Sequence, residues 1–390
     1  MKRIQKQIGF FMAFVLFFEL WLFPASPKAQ AQTTLASGAQ SAYLMEYESG
    51  AVLFEKNADE KLYPASMTKM MGLLLIYEAL NEGSLKWDDT VSASAHAASM
   101  GGSQIFLEEN ETMTVEDLVK AICIGSANDA MVAMAEKIGG SHEHFVEMMN
   151  EKAQTLGLTN THFVNATGLH DKDHYSSAKD MAIIAQALIA KGGDDLLKIT
   201  GTYDAYIRED GDDKFWLVNT NKLLKQYPGV DGLKTGFTQE AMSCITATAK
   251  KERVRLIAVV MKEPNSKQRN LEAKQLLDYG FSQMTQGILM KKDTAAETIT
   301  LENGKPQIVK LKLKEDAIAV YPKGEQPAVV KKEITLTKEL PYQKKETVAT
   351  LTLTLDNQTK VKVPLYSDRN VEKRTFFDLC KHTLLALFFA

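Results

Sequence analysis

Apolar and polar residues follow two rhythms along this chain, and the change from one to the other divides it. "SAYLMEYESGAVLFEKN" holds two short strand-like runs on either side of Glu48-Ser49-Gly50, which predicts a hairpin. Positions 67–80 are apolar nearly all round, the pattern of a helix buried inside a domain. "TVEDLVKAICIGSANDAMVAMAEKIGG" carries helical periodicity and ends in Gly139-Gly140. "SSAKDMAIIAQALIAKGG" starts with Ser177 and Asp180 at capping-box spacing and predicts a helix stopping at Gly192-Gly193. Strands return in "GLKTGFT" and in "CITATAKKERVRLIAVVMK", a hairpin turning near Lys251-Glu252, and a last helix, "QRNLEAKQLLDYGF", runs to about Phe281. Strands at both ends with helices between them predict an α+β (α/β) domain whose antiparallel sheet, built from the two ends of the segment, is flanked by helices.

After about Met290 the period shortens to two. "ETITLENGKPQIVKLKLKEDAIAVY", "AVVKKEITLTKEL" and "TVATLTLTLDNQTKVKVPLY" alternate over strand-length runs, and Asn303-Gly304 is a strong hairpin turn. A small all-β domain is expected over 291–367, with no cluster of catalytic side chains; its expected role is spacing. From 368 to 390 the chain mixes Arg369, Lys373, Arg374 and Lys381 with Phe376, Phe377, Leu379, Leu384, Leu387 and Phe388. That segment predicts an amphipathic helix lying on a membrane surface, being shorter than the about 20 apolar residues a span requires; a helix docked on the β domain is the other reading.

At the opposite end Lys2, Arg3 and Lys6 precede "IGFFMAFVLFFELWLF", and Ala29 to Ala31 offers small residues for cleavage. This is the layout of a secretory signal peptide over 1–31, with the mature catalytic domain expected over 32–290. The protein is therefore expected to be exported. In the 390 residues the net charge is −3 and Lys, Arg, Asp and Glu make up 24%, so no basic surplus points to nucleic acid. The three cysteines, Cys123, Cys244 and Cys380, are too few for a disulfide framework; Cys123 and Cys244 lie in apolar contexts and read as core residues, a pairing of the two being the alternative.

Candidate chemistry is concentrated where the first buried helix begins. "PASMTK" sets Ser66 three residues before Lys69. About one or two S-x-x-K strings arise by chance in a chain of this length, and "SSAK" at Ser176 and Lys179 is a second instance, explained by helix capping. Ser66-Met67-Thr68-Lys69 differs in its company: "SANDA" supplies Ser126-Ala127-Asn128, and "DGLKTGFT" supplies Lys234-Thr235-Gly236 ahead of strand-like sequence. The ordered set S-x-x-K, S-x-N, K-T-G is the signature of serine penicillin-recognising enzymes. A serine hydroxyl needs a base to become a nucleophile, and Lys69, one helical turn on, can face the same cleft. It acts as a base only when neutral, so burial and a second cation, Lys234, must lower its pKa. Ser126 can relay a proton to a leaving amine, and Asn128 can orient a substrate amide while holding Lys69. Gly236 allows a backbone to approach the strand edge closely, Thr235 offers a hydroxyl to a terminal carboxylate, and the N–H groups of Ser66 and Phe237 are the expected oxyanion hole.

With "SMGGSQIFLE", "FWLVNTN", "YPGVDGLKTGFT" and "QRN" added to those three motifs, the sequence resembles, over nearly the whole mature chain, the low-molecular-mass penicillin-binding proteins that act as serine-type D-alanyl-D-alanine carboxypeptidases, in particular those of spore-forming bacteria. The resemblance implies a penicillin-binding, β-lactamase-like transpeptidase fold. It implies Ser66, Lys69 and Ser126 as catalytic residues and Asn128, Lys234, Thr235, Gly236 and Phe237 as substrate-binding ones, with Arg269 holding the terminal carboxylate; without the resemblance Arg269 reads as a solvated cation at a helix start. The expected substrate is a peptidoglycan stem pentapeptide, the expected inhibitors are β-lactams, and no cofactor or metal is required. Removal of the last D-alanine limits cross-linking, and a sporulation role follows from the resemblance alone. Some enzymes of the class carry histidine where this chain has Phe237.

Other readings rest on other residues. His170, Asp171, Asp173, His174, His142 and His144 could suggest a metal-dependent peptidase, although no well-spaced third ligand set accompanies them. A class A β-lactamase needs an E-x-x-L-N string that is absent between Asn128 and Lys234. A transpeptidase, or a non-catalytic cell-wall binding protein on the same fold, remains as an alternative.

Overall fold

The computed structural model describes residues 35–209 and 214–375. The expected signal peptide, most of the expected C-terminal helix and Cys380 lie outside the described residues.

The central sheet has five antiparallel strands. Strands β1 (Ser41–Glu46) and β2 (Val52–Lys56) form the first hairpin, and β3 (Val230–Thr238), β4 (Met242–Lys251) and β5 (Val254–Glu263) form a meander. The order β2-β1-β5-β4-β3 joins the two ends of the domain through the β1–β5 pair, with Leu44 opposite Ala258, and leaves β3 as an edge. β4 and β5 are buried almost throughout because both faces are covered. Ile257, Val259 and Met261 pack into the large core shared with the helices α1 (Lys69–Glu82), α3 (Asn128–Gly139), α4 (His142–Thr155) and α5 (Ala178–Thr200). Leu44 and Leu256 point the other way, to Gly280 of α6 (Ser266–Gln283), where a Cβ would lie 2.7 Å from Leu256 Cδ1 and 3.0 Å from Leu44 Cδ2.

Two expected helices are interrupted. The segment read as one helix begins at the Thr114 cap, which accepts the Asp117 N–H, and runs as α2 (Val115–Lys120). It then opens into a wider turn, Ala121–Gly125, and breaks at Ser126, whose φ is +62°. Ile122, Cys123 and Ile124 are buried there, so the apolar periodicity continues through a backbone that does not. The Ser177 cap accepts the Asp180 N–H as expected, and the helix breaks at Gly193, φ 51° and ψ −142°, where expected; a second helical stretch then continues α5 to Thr200.

The C-terminal strands pair among themselves. The strand Met284–Met290 pairs with Ala317–Pro322, so pairing with the all-β segment begins at Met284 rather than 291. A five-stranded antiparallel sheet joins Ala295–Thr300, Ile308–Leu313, Lys360–Ser367, Thr347–Leu355 and Val329–Leu336 in that order. Its core includes Val309, Leu311, Leu351, Leu353 and Leu365. The first residues of the expected C-terminal helix are extended instead: Val371 bridges Tyr342, and Glu372–Lys373 pairs with Gly304–Lys305. Among the described residues no helix is long and apolar enough to cross a membrane.

Cys123 and Cys244 are buried free thiols. The histidine loop gathers no set of three or more metal-ligating side chains among the described residues. His174 is instead a buried structural residue, its Nε2 2.7 Å from Thr68 Oγ1 and its Nδ1 accepting the Val164 N–H.

A carboxylate pair ties the second turn of α6 to the segment before β1. Glu272 accepts the N–H groups of Gly38 and Ala39, and the fully buried Glu263 faces it with no donor on either oxygen. Burial, then the hydrogen bond with Glu272, push the Glu263 carboxyl up to about 8. An acid whose folded pKa is raised favours folding while protonated, so its contribution is full near and below its unfolded value and is lost as pH rises through about 8. The chain should therefore melt lower at pH 9 than at pH 6. Glu263→Gln should recover on the order of 1–3 kcal/mol of that loss at pH 9 and much less at pH 6; equal melting shifts at the two pH values would contradict a raised Glu263 pKa.

Candidate active site

Three elements bring the sequence motifs together. The turn Ala65–Thr68 carries Ser66 and continues directly into α1 at Lys69, so the two side chains stand one turn apart. Ser126 lies at the break before α3, and Asn128 is the first residue of that helix. Lys234, Thr235 and Gly236 lie on β3, whose outer edge is pressed against the Ser66 turn. A Cβ on Gly236 would lie 2.7 Å from Pro64 O and 3.1 Å from Ser66 N. Gly236 is thus required by the protein's own backbone.

Lys69 is the centre of the arrangement. It is 0% exposed, and Nζ lies 3.0 Å from Ser66 Oγ, 2.6 Å from Asn128 Oδ1 and 2.8 Å from Thr167 O. Burial first, then the charge of Lys234, lower its pKa well below the usual lysine range, with Asp129 opposing. A neutral amine has two N–H donors and one lone pair. Asn128 Oδ1 and Thr167 O can only accept, so they take the two donors and leave the lone pair aimed at the Ser66 hydroxyl.

Lys234 is also buried, at 1% exposure; Nζ donates to Ser126 Oγ at 2.8 Å and to Thr235 O at 3.1 Å. Burial is the main cause that brings its pKa down to about 8, with Arg269 adding to the fall and Cys123 opposing it. The left-handed Ser126 backbone, a conformation costing on the order of 1–3 kcal/mol for a non-glycine, is held in part by that bond. Thr235 Oγ1 lies 2.7 Å from Thr220 Oγ1. The Phe237 side chain is 66% exposed at the strand edge.

Arg269 is not the solvated cation that a helix start suggests. It is 5% exposed in the first turn of α6, with Nε and Nη2 donating to Asn270 Oδ1 and Nη1 at 3.4 Å from Cys244 O, the residue paired with Gly236 across the β3–β4 ladder. It makes no ion pair among the described residues. A buried guanidinium without a carboxylate is costly, and burial pulls its pKa down to about 10.

Two contributors were not singled out from sequence. Asp129, fully buried beside Asn128, accepts the N–H groups of Ile105 and Leu107 and so straps the loop over 101–107 to α3. Asn128 itself donates to Gly101 O at 2.6 Å. Thr167 supplies the carbonyl on Lys69, and Gly168 at φ +84° packs so tightly on Ala65 that a Cβ would sit 1.9 Å from Ala65 O. Asn165 Oδ1 fixes this turn by accepting the Thr167 and Gly168 N–H groups. A backbone carbonyl has no sequence signature, and "NATG" reads only as a turn.

Comparison with known proteins agrees with this geometry. The D-alanyl-D-alanine carboxypeptidase family Peptidase_S11 matches residues 27–265. The chain belongs to this family. It is therefore a serine hydrolase of the D-alanyl-D-alanine carboxypeptidase type. The C-terminal domain of penicillin-binding protein 5 matches residues 286–373, which assigns the all-β segment to a known accompaniment of the carboxypeptidase domain. D-alanyl-D-alanine carboxypeptidase DacF of Bacillus subtilis is 47% identical over 362 residues, 92% of each chain. The structure of penicillin-binding protein 5 from Haemophilus influenzae is similar with a TM-score of 0.63 and 33% identity over 90% of this chain and 100% of that one. The ampicillin-bound structure of penicillin-binding protein D2 from Listeria monocytogenes is similar over 64% of this chain and 99% of that one, with a TM-score of 0.57 and 31% identity.

Proposed function

We propose that Ser66 is the nucleophile of this carboxypeptidase and Lys69 its general base. The observation that carries the assignment is the buried Lys69 amine, 3.0 Å from Ser66 Oγ with its other two positions taken by fixed acceptors. Ser66 Oγ attacks the carbonyl carbon between the two terminal D-alanines of a peptidoglycan stem pentapeptide while its proton passes to Lys69 Nζ. The N–H groups of Ser66 and Phe237 take the oxyanion. The C–N bond breaks as a proton returns through Ser126 to the departing amine. D-alanine leaves, and an ester to Ser66 remains. Water then attacks that ester, giving the tetrapeptide and free Ser66. Asn128 orients the substrate amide, Gly236 lies under the peptide at the β3 edge, and Lys234, Thr235 and Arg269 attract its terminal carboxylate. Shortened stems no longer donate to cross-links, so the enzyme limits cross-linking.

A β-lactam enters the same reaction at Ser66, but the amine it exposes stays tethered and the ester persists. Export and retention on the outer face of the cytoplasmic membrane complete the reading. Their support is the basic and apolar leader at 1–31 and the basic, aromatic composition after Asp368. A role in sporulation rests on likeness to the DacF relative.

The test is a stoichiometry. The full chain given a stem pentapeptide should release one D-alanine per peptide, measured by a D-amino-acid oxidase assay, and benzylpenicillin should add its mass to the peptide containing Ser66. Transfer of the acyl group to an added amine in preference to water would replace hydrolysis by transpeptidation.

A further inference from the structure

The carbonyl of Thr167 holds Lys69, and Thr167 itself belongs to a short segment docked on α4. Asn150 fixes the start of that segment, accepting the Phe163 N–H at 2.9 Å and donating to the Phe163 carbonyl at 2.8 Å. Three residues on, the buried Ala166 N–H donates to His142 Nε2 at 3.2 Å. Thr167 follows directly, its N–H taken by Asn165 Oδ1 and its carbonyl 2.8 Å from Lys69 Nζ. Asn150 is a neutral amide at every pH, whereas His142 titrates. The backbone that holds the amine therefore rests on α4 through one constant support and one ionisable support.

An imidazole nitrogen that accepts an N–H is unprotonated, so the neutral His142 ring carries its proton on Nδ1. Protonation places a second N–H on Nε2, facing the Ala166 N–H, and the bond is lost. Three charged or titratable groups face the ring. His96, on the short helix Ala95–Ala98, meets it edge-on with centroids 5.3 Å apart; Glu136 of α3 lies 3.2 Å from His96 Nδ1; Glu143 is its neighbour on α4. Burial first, then His96, hold the His142 pKa below the usual histidine value, with Glu143 and Glu136 opposing. The first turn of α4, the positive end of that helix, also disfavours an imidazolium. Neutral pH thus keeps the support in place, and acid removes it.

We propose that His142 is a positioning residue for Lys69, acting through the Ala166 N–H and the Thr167 carbonyl, and that its protonation loosens the turn that orients the amine. Acid then slows acylation by two routes, protonation of Lys69 itself and loss of its alignment with Ser66. This rests on the reading of Lys69 as the base and deepens it. The sign of the effect separates positioning from charge alone. A new cation near a buried amine favours the neutral amine, so an imidazolium acting by its charge would speed acylation in acid. One acting through the turn slows it.

His142→Gln keeps an acceptor that no pH removes, and His142→Leu removes the acceptor at every pH. Benzylpenicillin acylation of each full-length chain is followed by mass spectrometry from about pH 8 to about pH 4.5, the span in which a histidine of lowered pKa gains its charge. Each rate is divided by that of wild type at the same pH, which cancels the titration of Lys69. His142→Gln should match wild type within about twofold at the alkaline end and exceed it about three- to tenfold at the acid end, the worth of one hydrogen bond. His142→Leu should be about three- to tenfold slower than wild type at the alkaline end and converge on it in acid. A His142→Gln ratio that stays constant with pH, or falls in acid, would overturn the proposal, whether or not His142→Leu folds. Acylation that persists in Lys69→Met would overturn the base reading and the proposal with it, so the two failures are read from different variants.

Discussion

Ser66→Ala should lose D-alanine release by at least about 10⁴-fold and should no longer retain benzylpenicillin, with its melting temperature almost unchanged. The size follows from chemistry: without the hydroxyl no acyl-enzyme forms, and what remains is the modest effect of binding and oxyanion donors on attack by water. Constancy of the fold follows from geometry. The only polar contact made by the Ser66 side chain among the described residues is with Lys69 Nζ at 3.0 Å, and alanine fits the turn Ala65–Thr68 without strain. Release of D-alanine and covalent labelling, measured by mass spectrometry of the intact chain, must therefore disappear together. Release that persists in Ser66→Ala would place the nucleophile elsewhere. The decoy pair, Ser176 and Lys179, is the informative control: Ser176 is fully buried against Thr161 Oγ1, so its replacement should affect melting rather than labelling.

How much of this could be read before folding differs from residue to residue for physical reasons. Hairpins and helix starts were legible because local chemistry writes them: Ser177 caps α5 and Thr114 caps α2 through hydrogen bonds spanning only three residues. The break at Ser126 was not. Buried apolar residues keep their period through the wide turn, and the left-handed Ser126 is held by Lys234, 108 positions away. The motif residues were legible as a set since three spaced strings rarely coincide, but their spatial relation depends on two close backbone approaches. One is Gly236 against the Ser66 turn; the other is Gly168 against Ala65. Arg269 shows the same limit from the other side. At a helix start an arginine reads as solvated, and only the packing of α6 against β4 and β5 buries it without an acid. Thr167 contributes a carbonyl, which any residue type could have supplied.

Lys69→Met should leave a folded chain in which acylation by benzylpenicillin and by peptide falls about 10³- to 10⁴-fold, the range of a lost general base. Methionine fills most of the lysine volume, so packing in the cleft is nearly conserved. Two effects on stability then oppose each other. Replacing a fully buried amine by an apolar side chain relieves the cost of keeping a polar group out of water. It also leaves Asn128 Oδ1 and Thr167 O without their donor, at about 1–3 kcal/mol for each acceptor that finds no water. The melting temperature should consequently move by only a few degrees, far too little to account for the lost rate. Lys234 supplies the internal check. Burial brings the Lys234 amine down to about 8, and the substitution leaves its bonds to Ser126 Oγ and Thr235 O in place. The variant should thus still bind penicillin reversibly through its carboxylate at pH 8 while failing to open the ring. Acylation within tenfold of wild type would mean that the base is not Lys69, and loss of reversible binding together with acylation would mean that the amine serves the architecture of the cleft more than the proton transfer.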